Sequence, residues 1–419
     1  MLLYISLVGA AIALLFLIVN PAVGVLLIFL VRPFVDTTYG DDLGVGLRLT
    51  EIVSVIVPFL IIVHMTTAKG FTRFRYMPLN TIWLIWTADV VLFSSLIMSQ
   101  EGMLAGLTIL FRHLNGFTGF FMIQAFLRDG KGPRNFFLIL MLAGLFPTGV
   151  GVYQILTGAE WKVTYAEGIV RNIGLYHDAI TPRYYAMQTI LGITVFATLY
   201  LRKAFLKQAL AVVFTILAGA VMFKTYSKSG IATLALWFLE WTALQRKILL
   251  LVLAAFALMI SATYYSSELI GHVEQLFNKE ISAVEGTGQV QRTFAGRWYI
   301  WDQLWSDWQR LPFLGKIFGA GHTALGAHND YLQILFQGGI LGVTIYLILL
   351  FSVGWSLVRN LIKKVDPLAV AALMAFTMWL IDTVGLVPSA YSGYQWLVWG
   401  VIGLSLRLRQ DALRQARNL

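Results

Sequence analysis

The sequence contains no cysteine among its 419 residues, so neither a disulfide framework nor thiol chemistry can be part of what the protein does. Its six histidines are scattered and form no HxxxH or HxH pattern, which gives metal ligation little support. The glycine-rich basic stretch "GKGPRN" from Gly130 lacks the spacing and the following Ser or Thr of a nucleotide-binding phosphate loop, so energy from ATP is not suggested. No repeat at solenoid periods and no two-half symmetry of the transporter kind is visible. Charge is scarce as well, at 12% of residues.

What fills the chain instead is apolar. Hydrophobic residues make up 58% and the mean hydropathy is +0.75, far from the averages of soluble domains. The expected fold class is therefore an all-α polytopic membrane protein. Apolar runs fall at roughly Leu2–Val19, Leu49–Met65, Leu79–Met98, Met103–Leu127, Asn135–Thr157, Tyr184–Tyr200, Gln208–Phe223, Ser229–Leu244, Ile248–Tyr265, Tyr331–Val358, Pro367–Val387 and Tyr394–Leu406. Judged by length alone these predict about 12 spans. A shorter run, Val23–Val31, follows Asn20-Pro21 and could close an N-terminal hairpin as one span more. The first run lacks a basic flank and a small-residue cleavage site, and is expected to be retained.

Lys and Arg collect in alternate loops: Lys69/Arg73/Arg75, Arg128/Lys131/Arg134, Arg202/Lys203/Lys207, Arg246/Lys247, Arg359/Lys363/Lys364 and the tail from Arg407. Those loops are expected on the cytoplasmic side. The net charge of +10 then reflects topology and carries no nucleic-acid signature. Three regions follow: residues 1–265 as N-terminal spans with short loops, 266–330 as one large external loop, and 331–419 as C-terminal spans with a basic tail. Asp89 and Arg112 sit at similar distances from the turn near Gln100, so an ion pair between them is the expected way to keep both in the membrane.

A loop as long as 266–330 is usually functional or disordered, and its composition argues for order. Trp298, Trp301, Trp305 and Trp308 recur at steps of three and four before Pro312, the spacing of one aromatic helix face. Such a face suits the membrane boundary, and equally a groove for lipid or sugar. An earlier helix is marked by Leu269, Val273, Leu276 and Phe277 and ended by Gly286 and Gly288. Further on, "GAGHTALGAHNDY" leads into a span, with Asn329 or Asp330 available as its N-cap. A His at such a helix start has its neutral form favoured by the dipole, which suits a general base and singles out His328.

The run "GRWYIWDQLW…LPFLGKIFGAGHTALGAHNDYLQILFQGGILG", Gly296 to Gly342, resembles the signature region of the O-antigen ligase/O-antigen polymerase superfamily: an Arg before an aromatic-rich helix, a Pro, a Gly-x-Gly turn, His-Asn-x-Tyr-Leu, then Gly-x-x-Gly. The resemblance implies a GT-C-like glycosyltransferase of the bacterial inner membrane whose active site faces the periplasm, with membrane lipids around it. It takes a glycan from undecaprenyl diphosphate and needs no metal or cofactor. The acceptor is lipid A–core in the ligases, a second lipid-linked glycan in the polymerases and a protein hydroxyl in the O-oligosaccharyltransferase relatives.

By the same resemblance His328 activates the acceptor hydroxyl and Arg297 matches the family's loop arginine. Without a metal, the leaving diphosphate needs Arg and Lys. A second family arginine, in a Ser-Arg motif, falls on Lys228 in "KTYSKSG", a departure that replaces a bidentate fork by a point charge. Lys224, one turn earlier, could share its task. The segment "EGIVRNIGLYHDAITPRYYAMQ" adds Arg171 and Arg183 to the expected diphosphate pocket. Asn329, Tyr331, His322, Trp298, Trp301 and Trp305 are expected in the acceptor groove, together with Asp382, which could orient His328 or Arg297. The competing class is a transporter or flippase for lipid-linked sugars. Transporters carry their polar residues near the midplane on broken helices, whereas this sequence concentrates them at the external face. Within the enzyme class the reading leans to a ligase, with a polymerase close behind.

Overall fold

The computed structural model describes residues 1–43, 48–201, 205–245, 266–289, 293, 296–324 and 326–417. Sixteen α-helices lie among them. They are α1 Leu2–Val19, α2 Pro21–Thr37, α3 Leu49–Thr66, α4 Ala68–Arg75, α5 Asn80–Glu101, α6 Met103–Phe126, α7 Gly132–Thr157, α8 Ile180–Tyr200, α9 Phe205–Lys224 and α10 Lys228–Leu244, then α11 Ser266–Val284, α12 Arg297–Arg310, α13 Phe313–Phe318, α14 Asp330–Lys363, α15 Pro367–Gly385 and α16 Ser392–Arg417. A two-stranded antiparallel hairpin, β1 Tyr165–Ala166 and β2 Ile169–Val170, stands between α7 and α8. The all-α polytopic class is what the chain adopts.

The span count differs from the expectation. Among the described residues seven helices are both long and apolar enough to cross a bilayer, namely α1, α3, α5, α7, most of α9, α14 and α15. Helices α2 and α10 have 17 residues each. Helices α6 and α8 are long, but they bury His113, Asn115 and Gln124, and Arg183 and Gln188, inside the bundle. Helices one residue short of that length, or with polar groups turned into the bundle, fall outside a rule of length and composition, which is why fewer helices meet it than the apolar runs suggest. The expected span Ile248–Tyr265 lies outside the described residues. The N-terminal hairpin forms as expected: α2 packs along α1, with the Asn20 side chain accepting from Val23 N at 3.4 Å.

The core runs between helices distant in sequence. Helix α16 lies against α6 and α15, and Trp83 meets Trp399 edge to face at 5.1 Å. A Cβ added at Gly403 would come within 2.3 Å of the Phe120 carbonyl oxygen, so the α6–α16 seam depends on a missing side chain.

Charged loops sort to two ends of the bundle. At one end Arg407 donates to the Tyr76 carbonyl oxygen, and Arg128 faces Asp411. At the other end the N-terminal turns of α8, α10, α14 and α16 meet the C-terminal turn of α15. The expected Asp89–Arg112 pair is absent: Asp89 Oδ2 is buried without a hydrogen-bond partner, and Arg112 lies instead in the field of Asp330. Equal distance from a turn sets depth but leaves the direction around each helix open, and here the two side chains find different surroundings.

Helix α14 is broken near its start. Gly339 has φ 66° and ψ −164°, a conformation open essentially to glycine alone. The loop after α13 fills the break, where Ala320 N donates to the Phe336 carbonyl oxygen at 2.8 Å. A backbone group freed by the kink is thus satisfied within the protein, as a membrane protein requires.

Candidate active site

The C-terminal turn of α15 organises this end. Its carbonyl groups form the negative end of a helix, and two side chains from other elements dock on them. The Arg297 guanidinium donates to the Gly385 carbonyl oxygen through Nη1, and Asn329 Nδ2 donates to the Val384 carbonyl oxygen at 3.2 Å. Asn329 is also the N-cap of α14, its Oδ1 accepting from Leu332 N at 3.0 Å. One helix end therefore brings together the starts of α12 and α14.

His328 sits between these anchors. Its neighbour Ala327 is fixed by Trp301, whose indole N–H donates to the Ala327 carbonyl oxygen at 2.9 Å, and its other neighbour is the capping Asn329. His328 has φ 50°, a left-handed conformation that costs a non-glycine residue energy and persists where surroundings impose it. The ring is half-buried, and among the described residues it has no hydrogen-bond partner. Burial, and then the Arg297 cation, hold its pKa below the ordinary 6.5. An unbonded neutral imidazole at a fixed place can take a proton.

The cations divide into two kinds. Arg183 on α8 is 1% exposed and forms a bidentate pair with Asp382, Nη1 to Oδ1 at 2.9 Å and Nη2 to Oδ2 at 2.8 Å. It also donates to Ser227, at 3.2 Å, and to Ser229, while Tyr394 donates to Asp382 Oδ2 at 2.7 Å. Asp382 therefore orients Arg183 and is bonded to neither His328 nor Arg297. Lys228, at the first position of α10, is held by both oxygens of Glu280 on α11 at 2.7 Å. Both cations carry their counter-charge already.

Arg297 and Arg171 do not. Among the described residues neither is in an ion pair. Burial, then the nearby Arg183 cation, lowers both; Arg171 is pushed down to about 10, Asp178 opposing. Arg171 Nε donates to the Thr225 carbonyl oxygen at 2.6 Å, which leaves its amino groups free. Lys224 Nζ donates to the Tyr226 hydroxyl at 3.3 Å and has no acidic partner among the described residues. This end thus carries uncompensated positive charge, the condition for binding an anion.

The remaining expected residues spread around this centre. Tyr331 accepts from Thr383 Oγ1 at 3.0 Å. Trp298 and Trp305 are 43% and 42% exposed, whereas Trp301 turns inward, so the aromatic face is split by its tie to Ala327. His322 is exposed and faces Glu101 at 3.1 Å, which fastens the loop to the α5–α6 turn. Several participants were given no role from sequence: Glu280, Tyr394, Tyr226 and His272, and Asp178, whose Oδ1 accepts from Ile180 N and Thr181 N at the start of α8 and whose Oδ2 accepts from Tyr391 at 2.8 Å. Only Asp178, two residues before the first residue of α8, carried a local signal.

A family model described as O-antigen ligase matches residues 213–347. The segment includes Lys224, Lys228, Arg297, His328, Asn329 and Tyr331, while Arg171, Arg183 and Asp382 fall outside it. That segment of a multi-pass membrane protein is thus similar to the O-antigen ligases, which supports a glycosyltransferase-type function in O-antigen assembly. A search of curated proteins finds no match.

Proposed function

We propose that the protein is an O-antigen ligase of the bacterial inner membrane, transferring a glycan en bloc from undecaprenyl diphosphate to lipid A–core at the periplasmic face. The observation that carries this reading is the meeting of a half-buried, unbonded His328 with uncompensated Arg297 and Arg171 at one end of the bundle, in a chain whose matched segment spans His328 and Arg297. The acceptor hydroxyl oxygen attacks the anomeric carbon and its proton passes to the His328 imidazole. The bond from that carbon to the diphosphate oxygen breaks on the opposite face, inverting the configuration. Arg297 and Arg171 take up the charge of the departing diphosphate, which is where fixed positive groups lower a barrier most. Asn329 and Trp301 position His328, Arg183 with Asp382 ties α8 to α15, Lys228 with Glu280 ties α10 to α11, and Lys224 flanks the diphosphate. Regions 1–265 and 331–419 act as the membrane scaffold for the loop 266–330.

The break in α14 is a feature shared with transporters, but it lies close to the N-terminal end that carries His328. Asp330, Gln333 and Gln337 of that half-helix are buried in the protein, and its start adjoins the site, which favours the enzyme.

The test is a chain-length profile of cell-surface polysaccharide in a strain that depends on this protein, comparing wild type with His328→Ala and Arg297→Ala at matched expression. Loss of glycan on lipid A–core with long lipid-linked chains persisting is the expected result. Single repeat units alone would make the protein a polymerase, and wild-type behaviour of both variants would remove the active-site reading.

A further inference from the structure

Beside the His328 centre lies a cleft of about 410 Å³, walled by Arg171 and Asn172, by Lys224 and Tyr226, by His272 of α11 and by Gln154 of α7. Its size falls in the range of roughly 300–1,000 Å³ that small-molecule sites occupy. Exposed Glu160 and Gly158 form its rim. Helix α11 is fastened over it: Lys279 pairs with Glu167 at 2.6 Å, Gln275 Nε2 donates to the Glu167 carbonyl oxygen at 2.8 Å, and Lys228 holds Glu280. The walls are thus set by contacts that spend Gln275 of the lining and leave the cations Arg171 and Lys224 without an acidic partner among the described residues.

The hydrogen-bond order of the lining fixes what it offers. Lys224 Nζ donates to the Tyr226 hydroxyl oxygen at 3.3 Å, and that hydroxyl lies 3.3 Å from His272 Nδ1. The hydroxyl oxygen has two lone pairs and one proton, so it can accept from the lysine and still exchange a hydrogen bond with Nδ1 in either direction, which ties the three side chains into one chain. Left over are two N–H groups of Lys224 and the amino groups of Arg171, all donors, and the Nε2 edge of His272. An acceptor also stands unused: Asn172 is 7% exposed, its Nδ2 donates to the Gly151 carbonyl oxygen at 2.9 Å, and its Oδ1 has no partner. Tyr226 and His272 meet edge to face at 5.6 Å, giving an aromatic corner. Clustered donors with two unpaired cations suit a carboxylate or phosphate, while an amide acceptor and aromatic surface suit hydroxyls and a sugar ring.

We infer that this cleft is a saccharide subsite selective for a sugar carrying a carboxylate or phosphate, with Tyr226 and His272 as its specificity-determining residues. The inference rests on the glycosyltransferase reading above, because Arg171 is the wall shared by the cleft and the His328 centre. The charged sugar belongs either to the donor glycan or to a phosphorylated core acceptor.

The test is binding by saturation-transfer NMR on the full chain in nanodiscs of zwitterionic lipid, with methyl glucuronoside and glucose 6-phosphate as probes and methyl glucoside as the neutral control. Both charged probes are expected to bind, and the glucoside roughly tenfold more weakly, the equivalent of one charge-assisted contact. Tyr226→Phe keeps the packed ring and removes the hydroxyl, and His272→Ala removes the imidazole; each is expected to weaken the charged probes severalfold at unchanged melting temperature. Equal binding of charged and neutral probes, or charged binding untouched by both variants, overturns the inference. Displacement by free core oligosaccharide assigns the subsite to the acceptor, and displacement only by lipid-linked glycan assigns it to the donor; displacement by anionic phospholipid in place of either overturns a saccharide site. His328→Ala protein is expected to bind the probes normally. Probe binding that fails while His328→Ala still abolishes transfer removes the subsite alone, and binding that stands while His328→Ala transfers normally removes the enzymatic reading alone.

Discussion

Two kinds of cation crowd the same end of this bundle, and they differ in what holds them. Arg183 and Lys228 face carboxylates at 2.8 and 2.7 Å, whereas Arg297 leans on a helix-terminal carbonyl and Arg171 on the Thr225 carbonyl. A carbonyl orients a guanidinium without cancelling its charge, so the second pair keeps its field for a ligand and the first contributes architecture. Availability for anion binding is therefore decided by the partner, not by the presence of Arg or Lys at the site.

The sharpest break of this comparison is in activity. His328→Ala is expected to lower the transfer rate by roughly 10²–10⁴-fold, the weight of a positioned base, and Arg297→Ala to fall in a similar range, read as glycan-bearing lipid A–core by gel analysis with folded yield unchanged. Replacing the locked pair acts on the fold instead. Asp382→Asn strands the 1%-exposed Arg183, and a loss of about 3–5 kcal/mol is expected in thermal or denaturant unfolding in detergent. The double change Arg183→Met with Asp382→Leu should recover most of that loss, because it leaves no unpaired charge. If Asp382→Asn melts like wild type yet loses transfer, the division between architecture and ligand binding is wrong.

Smaller effects follow. Gly339→Ala would set a Cβ 2.3 Å from the Ile317 carbonyl oxygen in a backbone region closed to alanine, with strain of about 1–3 kcal/mol visible as reduced folded yield. Lys228→Ala breaks a partly exposed pair worth about 1 kcal/mol or less. Its transfer rate is expected to drop far less than that of Arg297→Ala in the same assay, and an equal drop would return Lys228 to the diphosphate. The least effect is a shift in titration. Because burial and Arg297 favour neutral His328, its NMR titration should fall below the ordinary 6.5, and Arg297→Gln should move it upward. The stability held in that neutral ring is present above the unfolded histidine's value and is lost as pH falls through the folded one.

Local pattern made much of this legible. The 3.6-residue periodicity marked α11 and α12, the glycines after Val284 and the Pro at 312 marked their ends, and the polar approach "GAHND" marked the start of α14 with Asn329 or Asp330 as cap, of which the structure uses Asn329. Each is set by residues within a few positions of one another, where capping and propensity act. The count of spans was less legible, because α6 and α8 carry polar residues that the bundle buries, and hydropathy records composition without recording which side meets lipid.

The sequence by itself determined the membrane class and the helices α11 and α12, and it nominated His328 and Arg297 as candidates, since these are properties of composition and short spacing. Only the tertiary structure decided which charges cancel. Arg183 meets Asp382 across 199 positions and Lys228 meets Glu280 across 52, while Asp89 and Arg112, level in depth, do not pair. Coulomb attraction acts over a few ångströms of space, and distance along the chain says nothing of it until the helices have packed.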